Sequence, residues 1–337
     1  MRVVFLANSF HLKKTKSADF FIELLCQDFG EVAIVPHKDA WAELPGKKLD
    51  LLVVWQKSYP PEELEAFGAE RVVLVPMYDD TPLEEAFWKR YRNFKVFCFS
   101  STLEHLLSSY GLCVWGVRYF PEIPSRKVSF SQSAGLRGFF WPRVPSIDWS
   151  CIRRLIGRTD FVRMHLHLTP DLGGSLPALI DEDEHFRGKM STTSWMGERG
   201  QYLDRLSDSN VFFASRTAEG IGMSFLEAMS LGLCVVAPNA PTMNEYLQDG
   251  VNGLLYDPEF PVALDFSRAK ELGVAARSSS EVGRQNWLSS LPKIRSFLED
   301  RLSSYHPRAH LILRIKGKSV ARARKAYRFF KRITRKS

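Results

Sequence analysis

The 337-residue sequence predicts an α/β protein made of two Rossmann-like parallel-sheet domains. Two observations carry that expectation. Short, uniformly apolar runs recur along the chain between helical or polar stretches, and strands that are apolar on both faces belong to parallel sheets covered by helices on each side. Residues 121–135, PEIPSRKVSFSQSAG, are rich in Pro and Ser and have no helical period, which marks a linker between the two halves.

In chain order, RVVFLA (2–7) reads as the first strand. A polar loop from Asn8 to Ser17 follows, then a helix near 18–29 with Phe21, Leu24, Leu25 and Phe29 inward. VAIVP (32–36), LLVVW (51–55), RVVLVP (71–76) and KVFCF (95–99) are further strands of a domain expected to span 1–128. Ligands of such sheets lie beyond the carboxyl ends of the strands. His11, after the first strand, and Asp79 and Asp80, after RVVLVP, are therefore candidates for holding ligand hydroxyls. The bland alternatives are a solvated loop for His11 with Lys13, Lys14 and Lys16, and helix-capping acids ahead of Pro82 for the two aspartates.

The second domain is expected over 129–282, beginning with the strand GLRGFFW (135–141) and the helix IDWSCIRRLIG (147–157). FVRMHLHL (161–168) is the next strand. Its alternating His165 and His167 suit buried, hydrogen-bonded histidines better than a metal pair, because no third ligand is near in sequence. DEDEHF (181–186) reads as a solvated acidic turn. GRQNWLSSLPKIRSFLED (283–300) has the helical spacing Trp287, Leu291, Ile294 and Leu298, interrupted by Pro292.

The densest chemistry lies in residues 215–258. The strand VFFAS (211–215) leads into Glu219-Gly220-Ile221-Gly222, then the helix MSFLEAMSLG with Phe225, Leu226, Met229 and Leu233 in register, then the strand CVVAP (234–238). In a strand, glycine loop, helix, strand unit the glycines let backbone amides approach a ligand, and the helix N-terminus offers orphan N–H groups and partial positive charge. A diphosphate is well placed there. Glu219 and Glu227 suit neutral hydroxyls, which donate charge-assisted hydrogen bonds to carboxylates. The alternative is a solvated Glu219 and a Glu227 that merely complements the helix N-terminus.

EGIGMSFLEAM, the small-residue turn that carries Thr242, Glu245 and the DGVNGLL segment together resemble the donor-binding signature of retaining glycosyltransferase family 4, the glycosyl transferases group 1. The resemblance is close over residues 215–258 and looser over 135–300. It implies the GT-B fold: two Rossmann-like domains facing a cleft, with a crossover helix, here 283–304, that a kink at Pro292 would suit. It also implies a nucleotide-sugar donor, no required cofactor and no catalytic metal. By the same resemblance Glu219 holds the donor sugar's hydroxyls, Glu227 the ribose, and the donor site includes Gly220, Ile221, Gly222, Met223 and Thr242. Trp195 falls in the loop near the base, a core anchor being its other reading, and His11, Asp79 and Asp80 fall on the acceptor side. Family members carry an arginine and then a lysine for the diphosphate after the first strand of the second domain. Arg143 in FFWPRVPSID matches the arginine as a catalytic residue; Pro145, Ser146, Ile147 and Asp148 stand where the lysine would fall.

The composition, 45% hydrophobic and 25% charged, is that of a soluble globular protein. No apolar run reaches the roughly 18 residues a membrane span needs, and MRVVFLANSF reads as a strand and not as a signal peptide. Five scattered cysteines without ligand spacing suit reduced thiols in a cytosolic protein. The net charge of +8 is concentrated: residues 305–337 hold twelve Lys/Arg and no Asp/Glu, leaving 34 basic against 38 acidic residues elsewhere. On a helical wheel, Val320, Ala323, Ala326, Tyr327, Phe329, Phe330 and Ile333 fall on one half of residues 318–336. Arg324, Lys325, Arg328, Lys331, Arg332, Arg335 and Lys336 fall on the other. Such a C-terminal amphipathic basic helix fits adsorption to an anionic membrane surface. Docking on the protein is the alternative, and nucleic acid would need a folded reader that the sequence lacks. The sequence expectation is thus a glycosyltransferase at the inner, cytoplasmic face of the cell membrane, acting with retention on a glycan or lipid-linked acceptor in bacterial surface polysaccharide or lipopolysaccharide synthesis. A catalytically silent GT-B module serving as a membrane-associated assembly subunit is the competing expectation.

Overall fold

The computed structural model describes residues 1–126, 128, 130, 135–169 and 183–300. The basic tail at 305–337 and the first two residues of DEDEHF lie outside them, as do the side chains of Lys13 and Lys14. The chain divides into two compact units, Met1–Val117 joined by the end of the last helix from Leu291, and Arg118–Ser290.

The first unit runs β1 (Val3–Ala7), α1 (Asp19–Phe29), β2 (Val32–Pro36), α2 (Ala40–Glu43), β3 (Leu51–Trp55), α3 (Pro61–Ala66), β4 (Val72–Val75), α4 (Glu85–Trp88), β5 (Lys95–Cys98), α5 (Ser101–Ser109) and β6 (Cys113–Gly116). Its six strands form a parallel sheet in the order β2-β1-β3-β4-β5-β6. The central strands are buried at every position, whereas edge strand β2 is largely open, which is why the inner strands are the continuously apolar runs. One face is filled by an aromatic cluster, Phe5, Phe20, Phe21, Trp55, Phe97 and Phe99, with ring centroids such as Phe97–Phe99 at 5.1 Å. Leu6, Leu52, Val54, Trp88 and Tyr91 pack on the other.

Two sequence expectations change here. The segment after β1 is not all loop: His11–Thr15 forms a helical turn closed by Lys16 in the left-handed region at φ 51°. Asp79 and Asp80 sit in the short turn Tyr78–Asp80, and α4 begins later with Glu84 at its N-cap position, so the aspartates do not cap it.

The second unit runs β7 (Leu136–Phe140), α6 (Trp149–Ile156), β8 (Phe161–His167), β9 (Met190–Thr193), α7 (Arg199–Ser207), β10 (Val211–Phe213), α8 (Met223–Leu231), β11 (Cys234–Pro238), α9 (Met243–Tyr246), β12 (Leu254–Tyr256) and α10 (Ala269–Glu299). Its sheet is parallel in the order β12-β11-β10-β7-β8-β9. His165 and His167 bond to Ser191 and Thr193 on β9 at 2.9 Å. Burial draws both imidazoles down to about 4, so they are neutral and serve the β8–β9 seam. Among the described residues no cluster of ligating side chains is arranged for a metal ion. DEDEHF is not simply solvated: Asp183 accepts from the Trp149 indole at 3.0 Å and pairs with Arg153 at 2.7 Å, and Phe186 is buried.

The division between the units falls at 117/118, upstream of the 128/129 expected from composition. Residues 120–126, which include the start of the Pro- and Ser-rich stretch, are stitched to the second unit through their carbonyls. Arg277 donates to Pro124 at 2.9 Å and to Arg126 at 3.1 Å, Arg284 donates to Phe120 at 3.1 Å, and the Phe120 ring packs on Tyr246 at 5.1 Å. A chain bonded this way needs no period of its own.

Helix α10 begins at Ala269, well before the expected 283, because Ala269, Leu272, Ala276 and Ser280 extend the buried face upstream at helical spacing. It runs through Pro292. Its last turns, with Ile294 and Leu298 buried, belong to the first unit, where cations take its terminal carbonyls. Arg71 donates to Glu299 at 2.7 Å, and the buried Lys95 donates to Phe297 and, at 2.6 Å, to Asp300. No described helix is long and apolar enough to cross a membrane.

Burial draws the Lys95 ammonium down to about 8. Between pH 8 and the unfolded lysine's value near 10.4, the unfolded chain holds a proton that the folded chain has lost, so this group makes stability rise with pH across that window. Urea denaturation of the wild type and Lys95→Met at pH 7.5, 9 and 10 should show the wild type gaining roughly 1–3 kcal/mol relative to the variant on going upward. A difference that stays constant with pH would refute a buried, depressed lysine.

Candidate functional site

The site forms at the carboxyl edge of the second sheet. From β7 the chain builds β8 and β9 on one side, then crosses to lay β10 on the other, so the strand order reverses between β7 and β10. Loops leaving adjacent strands at such a reversal diverge and open a crevice, the usual ligand position of open α/β sheets. Trp141 and Arg143 follow β7, residues 214–222 follow β10, and Asn239–Thr242 follow β11.

Gly222 occupies the N-cap position of α8 in the left-handed region, at φ 79°. A Cβ there would run into the Phe225 ring, so glycine is required twice over, by backbone conformation and by space. Among the described residues no side chain caps α8, and no acid stands in its first turn, which leaves that end receptive to an anion. The loop before it is tied to the β11 turn by the Glu219 amide, which donates to Pro241 at 3.4 Å.

Each carboxylate stands beside an arginine. The Arg143 guanidinium is 4.0 Å from Glu219 and lies over the Trp141 ring at 4.8 Å, while the Trp141 indole donates to the Thr169 carbonyl at 2.5 Å. Glu227 is buried in the second turn of α8. Its Oε1 accepts from Nε of Arg199 at 2.8 Å and lies 2.8 Å from a second guanidinium nitrogen. Burial pushes the Glu227 carboxyl up, and Arg199 pulls it partly back. Between the two pairs lies Tyr202 of α7, partly buried, whose enclosed hydroxyl has no hydrogen bond among the described residues. Burial, and then the Glu227 charge, hold its phenol far above the ordinary value, with Arg143 and Arg199 opposing. Ser215 at the end of β10 and Thr242 after β11 likewise keep buried hydroxyls without a partner. Arginines and a helix N-terminus suit anionic groups, and carboxylates and free hydroxyls suit neutral ones. The arrangement can therefore take a ligand that carries both.

The structure gathers Arg143, Glu219, Gly220, Ile221, Gly222, Met223, Glu227 and Thr242 at the ends of three neighbouring strands and the start of α8. Trp195, in the loop between β9 and α7, is 43% exposed and anchors no core. His11, Asp79 and Asp80 lie at the carboxyl edge of the first unit's sheet, with His11 Nδ1 at 3.2 Å from the hydroxyls of Thr15 and Ser17. Where the resembling family has its lysine, Ile147 is buried and Asp148 caps α6 by accepting from the Cys151 amide at 2.9 Å. Arg199, Tyr202 and Trp141 escaped the sequence reading. Arg199 and Tyr202 are three apart on one face of α7, yet only the packing of α7 on α8 reveals that this face meets Glu227.

Residues 186–265 match the family described as Glycosyl transferases group 1. No curated protein matches the chain. Among solved structures, the chain is similar to Anabaena HepE in complex with UDP, with TM-score 0.61 and 13% identity over 87% of this chain and 100% of that one. It is also similar to sucrose-phosphate synthase from Thermosynechococcus elongatus, with TM-score 0.62 and 13% identity over 87% and 97% of the two chains. For the lipopolysaccharide outer core galactosyltransferase WaaB in its apo form the values are 0.55 and 12% over 94% and 100%. At these identities the likeness is one of fold, and that fold is GT-B: two six-stranded parallel sheets with flanking helices.

Gly222→Ala should cost about 2 kcal/mol or more, combining left-handed strain with the Phe225 clash. Gly250→Ala, at φ 69° with open space around it, should cost only about 1 kcal/mol. Urea midpoints for both variants check the ranking, and equal losses would remove Phe225 from the account.

Proposed function

We propose that this protein is a glycosyltransferase that moves a sugar from a nucleotide-sugar donor to a glycan or lipid-linked acceptor. The observation that carries the proposal is the pairing of two carboxylates with two arginines around the uncapped start of α8, at the strand-order reversal of a GT-B second unit. The match of residues 186–265 to the Glycosyl transferases group 1 family supports it. HepE was solved with UDP, which makes a uridine nucleotide the first donor to test.

In this proposal the departing diphosphate lies at the α8 N-terminus, where the amides of Gly220 to Met223 and the Arg143 guanidinium stabilise its developing charge. Glu219 holds hydroxyls of the transferred sugar, Glu227 holds the ribose, and Thr242 lines the donor site. Trp195, with its exposed ring, stacks on the base. His11, Asp79 and Asp80 serve acceptor hydroxyls. Transfer proceeds with retention and without a cofactor or catalytic metal. The basic segment 318–336 holds the enzyme on an anionic membrane at the cytoplasmic face, where it works in bacterial surface polysaccharide synthesis.

A second reading has its own observation. The positions where a second phosphate-binding cation would fall are committed to the core and to capping α6, which suits a silent GT-B module that binds nucleotide without turnover.

Thermal-shift titration with UDP, GDP, TDP and CMP, each alone and as its nucleotide-sugar, tests the site. A ligand at one hundred times its Kd stabilises the fold by about 2.7 kcal/mol. One nucleotide should raise the wild-type Tm while Glu227→Ala loses the effect; indifference to all four would defeat the donor-site reading. Once the donor is known, Glu219→Ala should retain the fold and lose transfer by at least about 100-fold. Full activity in that variant would exclude Glu219 from the mechanism, and nucleotide binding without any turnover in the wild type would favour the silent module.

A further inference from the structure

Glu227 presents an unusual problem for a binding group. A carboxylate embedded in a helix whose residues from Phe225 to Leu231 are all buried is expensive to ionise, and a neutral carboxyl is a poor acceptor for a pair of hydroxyls. Arg199 answers that problem in a particular geometry. Two guanidinium nitrogens converge on a single oxygen, Oε1, each at 2.8 Å, and Oε2 accepts no hydrogen bond among the described residues. The Glu227 side chain keeps 9% of its surface, whereas Arg199, at the first position of α7, is 57% exposed. The pair is therefore one-sided: an open guanidinium grips one oxygen of a buried carboxylate and leaves the other unbonded.

Resting on the donor-site reading above, we propose that Arg199 is a positioning residue that holds Glu227 by Oε1, ionised and oriented, so that Oε2 receives the vicinal hydroxyls of the donor's nucleoside. It acts through Glu227 and not on the phosphates. The other groups facing this pair are few. Tyr202 of α7, its hydroxyl buried, is protonated, Arg143 beyond β7 acts on Tyr202, and Tyr119 and Glu122 act on Arg199. Of these, Arg199 alone offers Glu227 a full positive charge at hydrogen-bond distance. Removing it leaves burial unopposed, and the Glu227 carboxyl then rises further.

The test is calorimetric titration of the full-length protein with UDP and with uridine from pH 5.5 to 8.5, for the wild type, Arg199→Met, Arg199→Lys and Glu227→Gln. Arg199→Met should bind progressively more weakly as pH falls, approaching about tenfold per pH unit below its shifted ionisation, and should converge on Glu227→Gln at the acid end. The factor lost relative to wild type should be the same for uridine as for UDP. Arg199→Lys, which retains the charge, should restore the wild-type pH profile with a smaller uniform loss. An Arg199→Met profile parallel to wild type overturns the proposal alone, and so does a loss confined to UDP, which would make Arg199 a direct phosphate ligand. A wild type that binds neither ligand nor any other nucleoside diphosphate overturns the donor-site reading together with it. Circular dichroism and Tm of Arg199→Lys and Arg199→Met separate all of these from misfolding.

Discussion

The parallel arrangement of β7, β10 and β11 is the constraint on which the site depends. Parallel strands bring all their carboxyl ends to one edge, so the segments following three strands, far apart in sequence, emerge side by side. The order reversal between β7 and β10 then sends neighbouring loops in divergent directions. Arg143 and Glu219 are 76 positions apart in the chain and 4.0 Å apart in space for this reason. Helix α8 completes the arrangement, because a strand returning to the sheet as β11 requires a crossover helix whose N-terminus points at the same edge.

The electrostatics of that edge follow from desolvation. Ions removed from water are tolerated only with a close partner and satisfied hydrogen bonds. Glu227 meets the condition through Arg199, and Arg143 spreads its charge over the Trp141 ring beside Glu219. The hydroxyls of Tyr202, Ser215 and Thr242 do not meet it among the described residues. Buried polar groups without partners cost about 1–3 kcal/mol each; these three stand at the ends of β10 and β11 and on α7, while others, such as the Trp55 indole and the Tyr256 hydroxyl, lie within the cores. Several other polar groups are reconciled internally: the histidines of β8 bond to β9, and Lys95 and Arg71 close the end of α10.

Legibility tracked the length scale of each signal. The strands of the first sheet and the unit from β10 to β11 were readable because periodicity and glycine placement act within a few residues. Boundaries were less so. Helix α10 is legible in the sequence from residue 283 onward, where its apolar spacing is dense, and its upstream half is not, because small residues such as Ala276 and Ser280 provide its buried face. The segment 121–135 reads as a linker because the partners of its first residues, such as Arg277, are about 150 residues away. Asp183 looked like one acid of a solvated run until Trp149 and Arg153 were seen to claim it.

What the sequence determined by itself was local: which runs are strands, where the backbone needs Gly222, and that Glu219 and Glu227 flank the start of one helix. These follow from steric and hydrophobic rules that operate over a turn or a strand. Only the tertiary structure decided which cation each carboxylate receives. Arg143 was expected at a phosphate and also lies beside Glu219; Arg199 was not singled out, and it holds Glu227 because α7 packs on α8. A pairing across strands and helices depends on sheet order and register, which no window of sequence contains, and it decides how each buried carboxylate is charged.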